Sequence, residues 1–167
     1  MTNIKFTVKK LTYAAVIAAV YVAITISLAM ISFGPLQFRV SEALCILPFF
    51  FPAAVPGLFV GCLIANLMTG NILDIVFGSL ATLIAAIMTM KIKIKWLACL
   101  PPAIINGIIV GAVLAQSFNP EAFWTYVPVY GFQVFVGELG VLYLVGLPLM
   151  YALPKFKFFR ALYEKDI

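Results

Sequence analysis

The chain has 167 residues, 65% hydrophobic and 10% charged, with a formal net charge of +5 and no histidine. So little polar surface excludes a folded domain in water, and a mean hydropathy of +1.14 places the chain in a lipid bilayer. The surplus of cations argues against nucleic acid as a partner, because they stand at the ends of apolar runs and form no basic stripe with interleaved aromatics.

Ten of the eleven basic residues form three clusters, Lys5/Lys9/Lys10, Lys91/Lys93/Lys95 and Lys155/Lys157/Arg160/Lys165, which the positive-inside rule assigns to the cytoplasmic face. The first precedes an apolar run at 11–31. Charges before such a run also open a signal peptide, but the run is of span length and no small-residue cleavage site leads to a soluble domain, so a first membrane helix is expected. Ser32-Phe33-Gly34-Pro35 ends it. Arg39, the cation outside the clusters, then falls in Gln37-Phe38-Arg39-Val40-Ser41-Glu42, on the opposite face, and asks for a functional reason.

Breaks at Pro52-Ala53-Ala54-Val55-Pro56-Gly57 and Met68-Thr69-Gly70-Asn71 divide the next stretch into spans at 42–53, short for a crossing, 56–69 and 73–90. Four crossings return the chain to the cytoplasm at Lys91, as three or five would not. A fifth span at 97–117 ends in the polar turn before Glu121, and a sixth at 125–153 ends at Pro154 beside the last basic cluster. The expectation is an all-α membrane protein, a six-transmembrane-helix bundle forming one domain over 1–167, with both termini cytoplasmic.

Helices in lipid associate by close approach of small residues. Ala15, Ala19 and Ala23 recur every fourth residue in the first span, with Ala14 and Ala18 alongside, as do Gly57/Gly61/Ala65 in the third and Gly107/Gly111/Ala115 in the fifth. Internal packing explains the last two sets. The alanine strip is either another packing face or a docking surface for a membrane partner.

Buried polar groups are costly in hydrocarbon and usually face a cavity or a partner. On this topology they collect in the outer half: Gln37, Arg39 and Glu42 at the outer loop and the start of span two, Asn66 near the outer end of span three, and Asp74 opening span four. Asn106 and Glu138 lie roughly mid-membrane at about 1.5 Å per residue. Trp124, Tyr126 and Tyr130 rim the same side, with Gln133 a turn further in. A pocket opening outward for a small polar ligand is expected.

Each residue also has a plainer role: Trp124 and Tyr126 as interfacial anchors, Arg39 and Glu42 as an ion pair, Asp74 as a helix N-terminal charge, and Asn66 and Asn106 as interhelical links. Glu138 resists such a reading, since its helix offers no cation. Cys45, Cys62 and Cys99 have no metal-ligand spacing and read as packing residues. No phosphate loop, H-E-x-x-H or G-x-S-x-G motif occurs, so neither catalysis nor a cofactor or metal is expected, and energy for transport would come from partners.

The runs Gln37-Phe38-Arg39-Val40-Ser41-Glu42-Ala43-Leu44, Pro56-Gly57-Leu58-Phe59-Val60-Gly61 and Leu73-Asp74-Ile75-Val76-Phe77-Gly78-Ser79 resemble the QueT family. The resemblance covers nearly the whole chain. It implies a substrate-binding S component of an energy-coupling factor (ECF) transporter in the bacterial cytoplasmic membrane, taking up a queuosine precursor. It further implies a transmembrane coupling protein (EcfT type) and two cytoplasmic ATPases as partners. By position, Ala14, Ala15, Ala18, Ala19 and Ala23 match the family's A-x-x-x-A docking face on the first helix.

A deazaguanine presents adjacent N–H donors that a carboxylate accepts, and an aminomethyl substituent is a cation needing a second carboxylate; Glu138 with Asp74 or Glu42 supplies both. Trp124 and Tyr130 would stack on the base. Another flat heterocyclic vitamin fits much of the same logic. An intramembrane lipid-modifying enzyme using Glu138 and Asp74, or an assembly subunit without a ligand, are the readings from other classes.

Overall fold

A computed structural model describes residues 8–32, 38–157 and 159, and among these no strand occurs. Helix α1 spans Val8–Ser27, followed by the short α2, Ala29–Ser32. A 3₁₀ helix, Val40–Phe49, leads to α3, Ala54–Leu67. A π-helical turn at Asp74–Gly78 runs directly into α4, Ser79–Lys91, and α5 covers Leu100–Phe118 after a 3₁₀ turn at Leu97–Cys99. Helix α6, Phe123–Val141, continues through a second π turn, Leu142–Gly146, into α7, Leu147–Ala152, and a 3₁₀ turn at Leu153–Lys155.

Four continuous stretches are long and apolar enough to cross a membrane: Val8–Ser27, Asp74–Lys91, Leu97–Phe118 and Pro120–Lys155. They coincide with the first, fourth, fifth and sixth expected spans. The second and third fall on the shorter apolar helices Val40–Phe49 and Ala54–Leu67, of 10 and 14 residues. At about 2.0 Å per 3₁₀ residue and 1.5 Å per α residue, each is roughly 20 Å long, about two thirds of a ~30 Å hydrocarbon layer. The faces turned away from the bundle carry large apolar side chains, Val16, Ile64, Ile108, Phe132 and Leu144 among them, as lipid contact requires.

Small residues set where the helices touch. A Cβ on Gly57 would lie 2.5 Å from the Ala14 carbonyl oxygen, and one on Gly61 3.0 Å from the Ala18 Cα, so α1 and α3 meet backbone to backbone. A Cβ on Gly111 would lie 2.5 Å from the Gly131 Cα, which fixes α5 against α6 in the same way. Behind these seams Tyr21, Ile46, Leu58, Cys62, Leu142 and Met150 form the main apolar core.

The seams also divide the alanine strip. Ala14 and Ala18 are buried against α3, while Ala15, Ala19 and Ala23 remain exposed on the outer side of α1. The expected five-residue docking face is corrected accordingly: Ala14 and Ala18 belong to the internal α1–α3 seam.

The described lysines share one end of the bundle. Helix α1 starts at Lys9 and Lys10 and runs toward the buried polar groups, whereas α4 runs away from them to Lys91. Lys95 Nζ sits 4.5 Å over the Tyr151 ring, one helical turn before Lys155.

Candidate ligand site

Three elements converge on Glu42, which is fully buried. The Tyr21 hydroxyl of α1 donates to Oε1 at 2.5 Å, and the Cys45 thiol, one turn along the same 3₁₀ helix, donates to Oε2 at 2.8 Å. Thr82 of α4 has Glu42 Oε1 at 3.2 Å, Cys62 Sγ at 3.2 Å and the Gly78 carbonyl at 3.3 Å within reach of its single proton; the carboxylate is the strongest acceptor of the three. Thr25 gives its proton to the Tyr21 carbonyl at 2.8 Å, so in the 2.6 Å contact between the Thr25 and Ser41 hydroxyls Ser41 is the donor. The start of Val40–Phe49 is thereby fastened to the far end of α1.

Beside this knot lies Arg39, 2% exposed. One guanidinium nitrogen donates to Cys62 Sγ at 3.8 Å and the other stands 3.8 Å from Asp74 Oδ2. Asn66, in the last turn of α3, donates its amide nitrogen to the Asp74 carbonyl at 3.0 Å and toward Cys62 Sγ at 3.5 Å. Gly78 makes room for the pair, since a Cβ there would lie 2.6 Å from Asp74 Oδ1 and 2.9 Å from Asn66 Nδ2. Between α5 and α6, Asn106 Nδ2 donates to Glu138 Oε1 at 3.1 Å, and Glu138 lies within electrostatic range of Glu42 and Arg39.

Buried acceptors with no donor among the described residues are Asn66 Oδ1 and Asp74 Oδ1 near Arg39, Asn106 Oδ1 and Glu138 Oε2 between α5 and α6, and Gln133 Oε1 on α6. An unpaired buried acceptor costs about 1–3 kcal/mol, so each of these oxygens calls for a donor that the described residues do not supply. Each can accept a hydrogen bond.

Of the residues expected at the site, Arg39, Glu42, Asn66 and Asp74 are brought together directly, and Asn106 with Glu138 forms a second pair within electrostatic range. Gln37 lies outside the described residues. Glu42 differs from expectation in that protein donors engage both its oxygens, which makes it a tie between α1, Val40–Phe49 and α4. The alternative Arg39–Glu42 ion pair gives way to Arg39–Asp74. Tyr130 belongs to another group: its hydroxyl donates to Asn119 Oδ1 at 2.9 Å and its ring stacks on Tyr126 with centroids 5.8 Å apart. Trp124 is 84% exposed and meets Phe123 edge-on, so it covers no buried acceptor.

Cys45, Cys62 and Cys99 are buried in the apolar core as packing residues, and Cys45 and Cys62 also contact the charged groups. Tyr21 and Thr82 were not anticipated at all. Two apolar grooves run along α5, one of about 400 Å³ lined by Ile104, Gly107, Val127, Pro128 and Phe135, the other of about 380 Å³ lined by Leu73, Phe77, Ile109, Ala112 and Phe123. Neither is lined by a charged side chain, so neither competes with the acidic region as a polar ligand site.

The family model of the QueT transporter matches residues 11–155. The chain belongs to the QueT transporter family. Over 72 residues it is 40% identical to the queuosine precursor transporter QueT of Lactococcus lactis subsp. cremoris, a match covering 42% of this chain and 43% of that protein. The chain thus aligns with under half the length of this QueT relative. No solved structure matches. The QueT match takes in all the described site residues, from Tyr21 to Glu138.

Proposed function

We propose that the chain is the substrate-binding S component of an ECF-type importer, a single membrane domain over 1–167 that captures a queuosine precursor from outside. In this reading six helical segments cross the bacterial cytoplasmic membrane and both termini are cytoplasmic, the basic end of the bundle facing inward. The observation that carries the reading is the set of buried acceptors without donors, held away from the basic end by the shorter helices and α4. A flat deazaguanine offers the N–H donors those oxygens lack.

The chain has no phosphate-binding loop, so the work of release falls to partners: a transmembrane coupling protein of the EcfT type and two cytoplasmic ATPases. Ala15, Ala19 and Ala23, exposed and without bulk, offer the coupling protein a close approach to α1. The glycine seams on the other side of α1 would let the subunit move as one body.

The test is calorimetric titration of the purified protein in lipid nanodiscs with queuine and related 7-deazaguanines, with a flavin and a pteridine as controls. Saturable binding of a deazaguanine alone is expected. Tight binding of another flat vitamin without deazaguanine binding overturns the substrate. Absence of any ligand, with uptake unaffected by Asp74→Asn and Glu138→Gln, would leave an assembly subunit in its place.

A further inference from the structure

Away from the buried acceptors, the basic end of the bundle carries charge that the described chain does not balance. Lys91, Lys93, Lys95, Lys155 and Lys157 stand there, whereas Glu42, Asp74 and Glu138 are buried inside the bundle and Glu121 lies in the turn between α5 and α6, at the opposite end. None of these lysines has a carboxylate partner among the described residues. Like charges gathered in this way repel one another unless an anion from outside stands between them.

One of the lysines is held in place. The link from α4 to α5 is fastened on both sides: the Thr89 hydroxyl donates to the Ala98 carbonyl at 3.3 Å, and the Tyr143 hydroxyl donates to the Trp96 carbonyl at 2.9 Å. Within the link the Ala98 N–H donates to the Lys95 carbonyl at 3.2 Å. From this fixed backbone the half-buried Lys95 lays its ammonium 4.5 Å over the Tyr151 ring. The ring face takes one side of the ammonium, and the N–H donors on its other side have no acceptor among the described residues. Lys155 follows one turn beyond Tyr151. Around these two cations Ile94, Trp96, Tyr151 and Phe156 are each more than half exposed.

The geometry points to a binding site for one anionic phospholipid at this end, its phosphate between Lys95 and Lys155 over the Tyr151 ring and its upper chains against Ile94, Trp96 and Phe156. A phosphate accepts charge-assisted hydrogen bonds from two ammonium groups at once. The apolar and amphipathic side chains beside the cations distinguish a lipid from dissolved phosphate, which needs no such surroundings; Trp and Tyr at headgroup level belong to a membrane interface. Lys95 is already ordered by the ring, so little of its rotamer freedom remains to be lost on binding. Bound there, the lipid ties the α4–α5 link to the end of α7. The inference stands apart from the solute that the chain carries.

The experiment titrates the full chain in a neutral detergent with phosphatidylglycerol and with phosphatidylcholine of the same acyl chains, and counts bound lipid by native mass spectrometry. The expected result is one saturable phosphatidylglycerol per chain, held at least about tenfold tighter than phosphatidylcholine. Lys95→Gln and Lys155→Gln should each weaken it about fivefold, the effect of one lysine at an anionic surface, and Tyr151→Leu should weaken it by releasing Lys95. The double variant Lys91→Gln/Lys93→Gln removes more charge but leaves the Tyr151 ring untouched, and should change binding by less than about twofold. Equal weakening by that double variant would mean diffuse attraction without a site and overturns the inference, as does equal retention of the two lipids. Displacement of the lipid by an equal concentration of inorganic phosphate would assign the cations to a soluble anion and overturns it too. Should a variant fail to fold, the comparison of the two lipids and the phosphate competition on the unaltered protein decide the matter.

Discussion

Gly78→Ala tests the Asp74 and Asn66 pair without touching either residue. The added Cβ would lie 2.6 Å from Asp74 Oδ1 and 2.9 Å from Asn66 Nδ2, where ordinary contact begins near 3.4 Å. The carboxylate must retreat by about 0.8 Å, the difference of those two distances. That shift moves Asp74 Oδ1 from its present place beside the Asn66 amide. Loss of one hydrogen bond to a charged group is worth about 1.5–3 kcal/mol, so ligand affinity should fall by about ten- to 150-fold. Fold stability should move far less, because alanine gains about 1 kcal/mol over glycine in a helix and offsets part of the strain. Titration and thermal unfolding on the same nanodisc sample separate the two effects. Gly70→Ala is the control: its φ of 67° makes alanine cost about 1 kcal/mol, but nothing lies within 4 Å of the new Cβ and ligand affinity should stay unchanged. A Gly78→Ala protein that binds with native affinity would refute the placement of Asp74 and Asn66 at the ligand.

Other outcomes follow from the seams and the Glu42 tie. Ala19→Leu, on the exposed side of α1, should abolish co-purification with the coupling protein and ATPases while leaving ligand binding intact; Ala18→Leu, against Gly61, should instead lower thermal stability through overpacking of about 1–3 kcal/mol or more. Gly111→Leu should prevent α5 from meeting α6, since even a Cβ there lies 2.5 Å from the Gly131 Cα, and loss of the folded, monodisperse species on size exclusion would report it. Tyr21→Phe removes the 2.5 Å donor from Glu42 and should destabilise the fold by about 1.5–3 kcal/mol, read as a lower unfolding midpoint.

The charged and amide members of the site were legible in the sequence because an apolar run tolerates such groups only for a reason: Asp74, Glu138, Asn66 and Asn106 stand out by position alone. Tyr21 and Thr82 carry no such signal, being neutral side chains in helices where many of their kind pack or face lipid. Cys45 offered one clue, its three-residue spacing from Glu42, which a helix turns into a contact. The alanine strip shows a different limit. Recurrence every fourth residue yields two stripes about 100° apart, and nothing in either says which of Ala14/Ala18 and Ala15/Ala19/Ala23 meets a glycine seam. Hydropathy is equally silent on rise per residue, so Val40–Phe49 reads as an apolar span whether its helix is α or 3₁₀.

The place of the polar cluster follows from the lengths of the two inner helices. A helix of roughly 20 Å in a ~30 Å apolar layer ends inside it, and its terminal N–H and C=O groups need partners that lipid cannot give. Arg39, Ser41 and Glu42 stand at the start of Val40–Phe49, and Asn66 stands in the last turn of α3. Asp74 begins the helical stretch that follows, with its carbonyl taken up by Asn66. The same side chains that satisfy these interrupted ends therefore bring uncommitted oxygens to a common depth. Under the proposed function a donor-rich solute would bind where two helices stop short, and the glycine seams, needing no polar group, would keep the flanking helices in register around it.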